Sequence, residues 1–204
     1  MVRPRTDIRP RIVAAARARF LSEGVDGASL RAIARDADSN IGMIYYYFPT
    51  KDDLFLGVVE EVYAAVLADL EAALAQDADF EARVRAMYVR IGRLTTDEAD
   101  VFRLVVREAL VSSERMSRLM ERFKRGHVPL VLRVVSEGKQ AGALASDVPL
   151  PLMMITTLAL GVLPQFVLRT LGERSPFGDA LKPGDALVEP LLRVLLGGIG
   201  APSG

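Results

Sequence analysis

The residues best suited to chemistry in this chain lie between Ser29 and Lys51, in the run SLRAIARDADSNIGMIYYYFPTK. This run brings together hydroxyl groups, an amino group and an apolar Ile-Gly-Met segment. Hydroxyl and amino groups can donate hydrogen bonds to phosphates, while apolar groups can contact the methyl group of thymine. The pattern therefore predicts binding to DNA, provided that the surrounding elements hold the apolar segment outward.

Two short helices joined by a polar turn would position these residues. Ser29 can cap the first helix, in which Ile33 and Ala37 lie at helical spacing. Asp38 favours a turn, because its side chain competes for backbone groups and tolerates the left-handed conformation. Asn40 can then cap the second helix.

The second helix is expected to have one buried face and one exposed face. Ile44 and Phe48, one turn apart, would point inward together with Tyr47. The outward positions would be Ile41, Gly42, Met43, Tyr45 and Tyr46. A third helix, capped by Thr50, would place Lys51 in its first turn, where it could reach a phosphate. This order of elements is a helix-turn-helix.

An upstream helix completes a three-helix domain. Ile12, Ala16 and Phe20 form its predicted buried stripe, and Gly24 is expected to end it.

The stretch from Ile12 to Leu54 resembles the N-terminal domain of the TetR family of transcriptional regulators. The resemblance is carried by Phe20, Gly24, Ser29, Ile33, Ala34, Ala37, Gly42, Ile44, Tyr45, Tyr47, Phe48, Lys51 and Leu54. It implies that Ser29, Tyr45, Tyr46 and Lys51 contact phosphates and that Ile41, Gly42 and Met43 approach bases. Arg31 and Asn40 complete the predicted set of DNA-binding residues.

Three positions depart from the family's usual pattern. Asp38 stands where such proteins usually have glycine, and Ser39 where they usually have an apolar residue. Ile41 replaces a residue that is usually polar, which affects the expected base preference more than DNA binding itself.

Charge and composition fit a regulator better than an enzyme. Residues 1–51 contain nine Lys or Arg and five Asp or Glu, a net charge of +4, whereas the remainder of this neutral chain has a net charge of −4. A basic head on an acidic body is typical of a DNA-binding module joined to a regulatory domain. The chain has no cysteine and a single histidine, and it carries no motif for a nucleophile, a phosphate loop or a metal. We therefore expect no enzymatic activity, no cofactor and no metal site.

The remainder of the chain has helical periodicity without strand alternation, so the predicted fold class is all-α. The predicted domains are 1–54 for DNA binding and 55–204 for effector binding and dimerisation. Residues 148–168 hold no charge, which fits either a membrane span or a helix packed on all sides. We favour the packed helix, in a cytoplasmic protein that does not associate with membranes.

Two very apolar C-terminal helices favour a homodimer in which each subunit contributes two helices to a bundle. The expected interface residues are Leu160, Leu163, Leu187, Leu191 and Leu195. Such a dimer would bind a near-palindromic operator on double-stranded DNA.

The resemblance also implies a pocket for a small, apolar effector that releases a repressor from its operator. The candidate lining residues are Met87, Tyr88, Ile91, Phe102, Arg107, Phe123, Met153, Thr157 and Phe166. For each apolar position, ordinary core packing competes with this interpretation. The sequence favours a solvated or surface-paired arrangement for Arg107 and Glu108, and a helix-end or surface position for His127. The alternatives are a membrane-associated or scaffold protein and a DNA-binding protein without an effector.

Overall fold

The computed structural model describes residues 8–75, 77–172 and 181–199, and within these ranges it contains helices and no strand. The helices are α1 (Ile8–Gly27), α2 (Leu30–Asp36), α3 (Ile41–Tyr47), α4 (Lys51–Leu74), α5 (Phe80–Gly92), α6 (Thr96–Val111), α7 (Ser113–Phe123), α8 (His127–Gln140), α9 (Leu150–Leu171) and α10 (Val188–Ile199), the last preceded by a 3₁₀ turn at Asp185–Leu187. The predicted all-α fold is confirmed.

The helices form two units. The first consists of residues up to Val66 together with Thr96–Glu121, and the second of Leu67–Thr95 together with residues from Arg122 onward. The predicted domain boundary after residue 54 falls within α4, which is one continuous helix. That boundary stays a prediction as a division between functions. As a structural unit, the N-terminal helices also pack with α6, which the predicted first domain does not include.

The core of the first unit follows the predicted apolar stripe of α1. Ile12, Ala16 and Phe20 are fully buried, and the ring of Phe20 packs edge-on against Phe55 with 6.5 Å between centroids. Gly24 (φ +81°, ψ 162°) has non-helical geometry inside α1. The helix expected to end at Gly24 is therefore kinked there and continues for a few residues to Gly27. Val25, directly after the kink, is buried.

In the second unit, α9 packs against α5 through one polar and several apolar contacts. The hydroxyl of Tyr88 donates to the carbonyl of Thr157 over 2.8 Å, and a Cβ atom at Gly161 would lie 2.7 Å from the Tyr88 ring. Arg169 donates to the carbonyls of Gly92 and Leu94, where its positive charge complements the C-terminal end of α5.

The outer face of α9 is apolar as well. Leu152, Ile155, Leu163 and Val167, which we call the α9 stripe, are between 44% and 58% exposed and repeat at helical spacing. Among the described residues, α9 is the one helix whose length and composition would allow it to cross a bilayer. The inner face of α9 packs against its own subunit as predicted, and the packing of the outer face against a partner subunit stays a prediction.

The close contact between α4 and the end of α3 gives a first prediction. A Cβ atom at the buried Gly57 would lie 2.5 Å from Cε1 of Phe48, so Gly57→Ala must displace that ring. We expect the free energy of unfolding to fall by about 1–2 kcal/mol, because overpacking outweighs the gain in helix propensity. Urea denaturation followed by circular dichroism measures this change.

Gly197 provides the matched control, since it lies in α10 with no atom near its Cβ position. Gly197→Ala should stabilise the protein by about 0.5–1 kcal/mol, and Phe48→Leu should recover part of the loss in the Gly57→Ala background. Equal stabilisation by both alanine substitutions would contradict the close contact.

Candidate DNA interface

The turn between α2 and α3 is fixed by the caps that the sequence predicts. The hydroxyl of Ser29 accepts a hydrogen bond from the amide of Ala32 over 3.4 Å, and Oδ1 of Asn40 accepts one from the amide of Met43 over 3.0 Å. Asp38 adopts a left-handed conformation with φ +48°. The predicted caps and the predicted conformation of Asp38 are confirmed.

Two ion pairs hold these helices against α1. Arg11 reaches the carboxylate of Asp38 over 3.2 Å, and Nε of Arg19 donates to Asp36 over 2.6 Å. The hydrogen bond from Arg19 lowers the pKa of the Asp36 carboxyl below its usual value. Asp38, the acidic residue that is unusual at this turn in the family that the sequence resembles, therefore has Arg11 as its partner within the same unit.

The faces of α3 are divided as expected. Ile44 and Phe48 are 1% and 5% exposed, whereas Tyr45 and Tyr46 are 50% and 77% exposed. Tyr47 is half-buried, and its ring contacts that of Tyr46 edge-on with 5.0 Å between centroids. The predicted exposure of Tyr45 and Tyr46 is confirmed, whereas Tyr47, expected to point inward, is buried only in part.

The residues expected to approach bases or phosphates lie on the open side. Gly42 is exposed, and Ile41 and Met43 are partly exposed. Ser29, Arg31 and Asn40 are also exposed at the ends or outer face of their helices. Contact of these side chains with DNA stays a prediction.

Gly42 has a local role that the sequence did not suggest. A Cβ atom there would lie 3.1 Å from Oδ1 of Asn40, which is the oxygen that caps α3. Glycine therefore leaves room for the cap as well as for a close ligand.

The start of α4 is a reciprocal cap. The amide of Asp53 donates to the hydroxyl of Thr50 over 3.0 Å, and the carboxylate of Asp53 accepts from the amide and hydroxyl of Thr50. The hydrogen bonds from Thr50, followed by that from Arg118, lower the pKa of the Asp53 carboxyl. Lys51, in the same turn, donates from Nζ to the carbonyl of Asp26 over 2.8 Å.

A buried ionic cluster, formed by Arg115 with three carboxylates, lies behind this turn. Arg115 has a side chain 7% exposed and makes ion pairs with Asp26, Asp52 and Glu108. Burial opposes the charged guanidinium, but its hydrogen bond to Asp52 and the charges of Asp26 and Glu108 leave its pKa raised. Glu108 is 2% exposed, so the expectation that it is solvated or forms a surface pair is wrong.

Arg107 also points toward α1. Its guanidinium donates to the carbonyls of Phe20 and Leu21 in the first unit. Arg107 therefore satisfies backbone groups beside the kink of α1, and a role in an effector site stays a prediction. Phe102 lies in the same helix, in the first unit.

The other predicted effector residues lie in the second unit. Five are buried, namely Met87, Tyr88, Ile91, Met153 and Thr157, whereas Phe123 and Phe166 are partly exposed. The hydroxyl of Thr157 is buried without a hydrogen-bond partner. Burial lowers the pKa of His127, which begins α8 with its ring centroid 4.9 Å from that of Phe123.

The predicted dimer residues divide into two groups. Leu187, Leu191 and Leu195 are 5%, 9% and 0% exposed within their own subunit, so they offer little surface to a partner. These residues belong to the core of the second unit, and their contribution to an interface stays a prediction. Leu160 is partly exposed and Leu163 is 54% exposed. Across the described residues, no group of three or more potential metal ligands is found.

Comparison with known proteins identifies the family. The sequence pattern described as "Bacterial regulatory proteins, tetR family" matches residues 12–58, the segment that contains α2, the turn and α3. The chain is 33% identical over 141 residues to the HTH-type transcriptional repressor NicS of Pseudomonas putida, a match that covers 68% of this chain and 66% of that protein. The chain belongs to the TetR family.

Solved structures extend the likeness to nearly the whole TetR-family chain. The fatty acid degradation regulator FadR from Bacillus halodurans superposes with a TM-score of 0.75 at 21% identity, over 93% of this chain and 98% of that chain. FadR from Bacillus subtilis, in complex with stearoyl-CoA, gives a TM-score of 0.76 at 19% identity over the same shares. At these identities the structures establish the fold. This chain is thus a helix-turn-helix member of a family of transcriptional regulators.

Proposed function

We propose that this TetR-family protein is a transcriptional repressor that binds a near-palindromic operator as a dimer and is released by a small apolar effector. The observation that carries the proposal is the open face of α3, where Ile41, Gly42 and Met43 lie beside a capped helix start. An apolar surface at that position is suited to thymine methyl groups. Exposed Tyr45 and Tyr46 would donate to the phosphates that flank those bases.

A dimer formed through the exposed α9 stripe would account for a near-palindromic operator. A twofold axis repeats one surface on both subunits and would place two α3 helices in successive major grooves, about 34 Å or a multiple of it apart. The same stripe would satisfy a bilayer, so sedimentation in buffer without detergent separates the two occupants. A protein that acts on DNA in this way would be cytoplasmic.

The effector would act from the second unit. The second unit holds buried apolar residues such as Met87 and Met153 and the buried, unpartnered hydroxyl of Thr157, which would suit a largely apolar molecule that carries one polar group. Such a molecule must bind the DNA-incompetent state more tightly, with a coupling of about 1–3 kcal/mol in typical systems. Stearoyl-CoA, which Bacillus subtilis FadR binds, is a reasonable first probe.

Selection from a random pool of double-stranded DNA tests the proposal. The purified protein is mixed with the pool at moderate salt, and the retained fragments are sequenced. Enrichment of a palindrome is the expected result, and the recovered operator then serves to screen effectors by release. Retention without any enriched sequence would favour an architectural DNA-binding protein, and no retention would contradict DNA binding.

Substitutions on α3 should separate phosphate contacts from base contacts. Tyr45→Ala is expected to weaken binding to all sequences by a similar factor, roughly tenfold, because it removes a phosphate contact. Met43→Ala is expected to change the ranking of operator variants, since a mismatched base pair in a specific site typically costs about 1–3 kcal/mol and this cost should disappear where Met43 reads the base. Affinities for a panel of single-base operator variants measure both effects, and an equal loss across the panel for Met43→Ala would contradict its base contact.

A further inference from the structure

The ionic cluster around Arg115 joins α7 to both sides of the proposed phosphate site. Asp26 follows the kink of α1, Asp52 lies in the first turn of α4, and Nε of Arg115 donates to Asp52 over 3.0 Å. The third partner, Glu108, is buried in α6. One guanidinium therefore fixes α1, α4, α6 and α7 with respect to one another within the first unit.

Charge neutralisation alone does not account for this arrangement. The buried Glu108 already balances the charge of Arg115, and the side chain of Asp26 is 69% exposed, so water could solvate that carboxylate. The two additional carboxylates instead belong to the segments that hold Lys51. Nζ of Lys51 donates to the backbone carbonyl of Asp26, whose side chain Arg115 binds.

The acidic residues near Lys51 would also disfavour a phosphate if they were left unpaired. Asp26, Asp52 and Asp53 carry three negative charges on the residues that hold or directly follow Lys51. Arg115 pairs with the first two and Arg118 with the third, and both arginines come from α7. Negative charges close to a phosphate weaken its binding. Because the two arginines neutralise these carboxylates, the positive charge of Lys51 can attract a phosphate.

We propose that Arg115 is a positioning residue for DNA binding, which holds Asp26 and Asp52 so that Lys51 is presented to a phosphate. This inference rests on the proposed contact between Lys51 and DNA. Arg115 itself makes no contact with DNA in this arrangement. Its effect passes through the end of α1 and the first turn of α4.

A double-mutant cycle between Lys51 and Arg115 tests the inference. Arg115→Met is combined with Glu108→Gln, because the neutral amide avoids an unpaired buried carboxylate and can still accept from the amide of Val25. Lys51→Met is then measured in the wild-type and R115M/E108Q proteins, with operator affinity determined at several salt concentrations. Circular dichroism confirms that each protein is folded at the temperature of measurement.

In the wild-type background, Lys51→Met should weaken operator binding roughly tenfold. It should also make the slope of log affinity against log salt concentration less steep by about 0.9 for the lost phosphate contact. In the R115M/E108Q background, the same substitution should change affinity by less than about twofold and leave the salt dependence unchanged. Arg115→Lys keeps the charge beside Glu108 but lacks the planar fork, so the cost of Lys51→Met should be intermediate in that variant.

Arg17→Met is the matched control, because Arg17 pairs with Asp97 across α1 and α6 without touching the residues that hold Lys51. Lys51→Met should keep its full cost in that background. A full cost in R115M/E108Q as well would overturn the inference while leaving the DNA contact of Lys51 intact. No effect of Lys51→Met in the wild-type protein would overturn that contact and the inference together.

Discussion

Arg115→Met alone is expected to lower the free energy of unfolding by about 3–5 kcal/mol, because it leaves Glu108 charged and buried without its partner. The side chain of Glu108 is 3% exposed, and its nearest other cation is Arg107, whose Nε lies 3.5 Å away. Two guanidinium nitrogens of Arg107 donate to carbonyls of α1, and its Nε, which makes no hydrogen bond, lies at an ion-pair distance too long to replace the hydrogen bond from Arg115. A loss of this size is a large fraction of the stability of a typical domain.

Denaturation in urea, read by circular dichroism, measures the change for Arg115→Met and its controls. R115M/E108Q should recover much of the loss, since both buried charges are then absent. Arg17→Met removes an ion pair whose side chains are 27% and 63% exposed, so its cost should be no more than about 1 kcal/mol. A cost for Arg115→Met as small as that for Arg17→Met would contradict the buried cluster.

Local features of the first unit could be predicted because their causes lie within a few residues. Ser29, Asn40 and Thr50 each accept a hydrogen bond from an amide three residues later. The left-handed conformation of Asp38 also has a local cause, because aspartate adopts this conformation more readily than most residues and stands in a tight turn. Such interactions depend on residue type and spacing, which are visible in the sequence.

The ionic cluster could not be predicted in this way. Arg115 meets Asp52 and Asp26 across 63 and 89 residues of chain, and nothing in the local pattern around any of them identifies the partner. Glu108 has the same neighbours in sequence as a solvated residue of an amphipathic helix would have. Its burial follows from the packing of α6 against α1, which depends on the tertiary fold.

The C-terminal helices show a different limit. The apolar composition of α9 and α10 indicates more apolar surface than one core requires, and it is α9 that leaves a row of apolar side chains exposed. It does not say which apolar residues meet the subunit's own core. Leu195 is fully buried within the subunit and Leu163 is half exposed, although both are leucines in very apolar helices.

Leu163→Glu is expected to convert the protein to a folded monomer. Leu163 lies within the α9 stripe and is 54% exposed, so a glutamate there is solvated in the monomer. In the proposed dimer it would be buried in an apolar interface, once on each subunit. We expect the dimer dissociation constant to rise roughly 100-fold or more, since burial of an unpaired charge costs several kcal/mol. Sedimentation over a range of protein concentrations, without detergent, measures this constant.

Leu110→Glu is the matched control, because Leu110 is 86% exposed and lies in α6, outside the α9 stripe. It should leave the dimer unchanged. Leu195→Glu would disrupt the core of the second unit, so any loss of the dimer would then accompany unfolding. A folded Leu163→Glu monomer should bind the two halves of an operator independently. It should lose the gain in affinity that a dimer obtains because binding of its first subunit raises the effective concentration of the second. If Leu163→Glu instead sediments as a dimer with unchanged operator affinity, the α9 stripe faces another partner, and the two recognition helices are joined by a different surface.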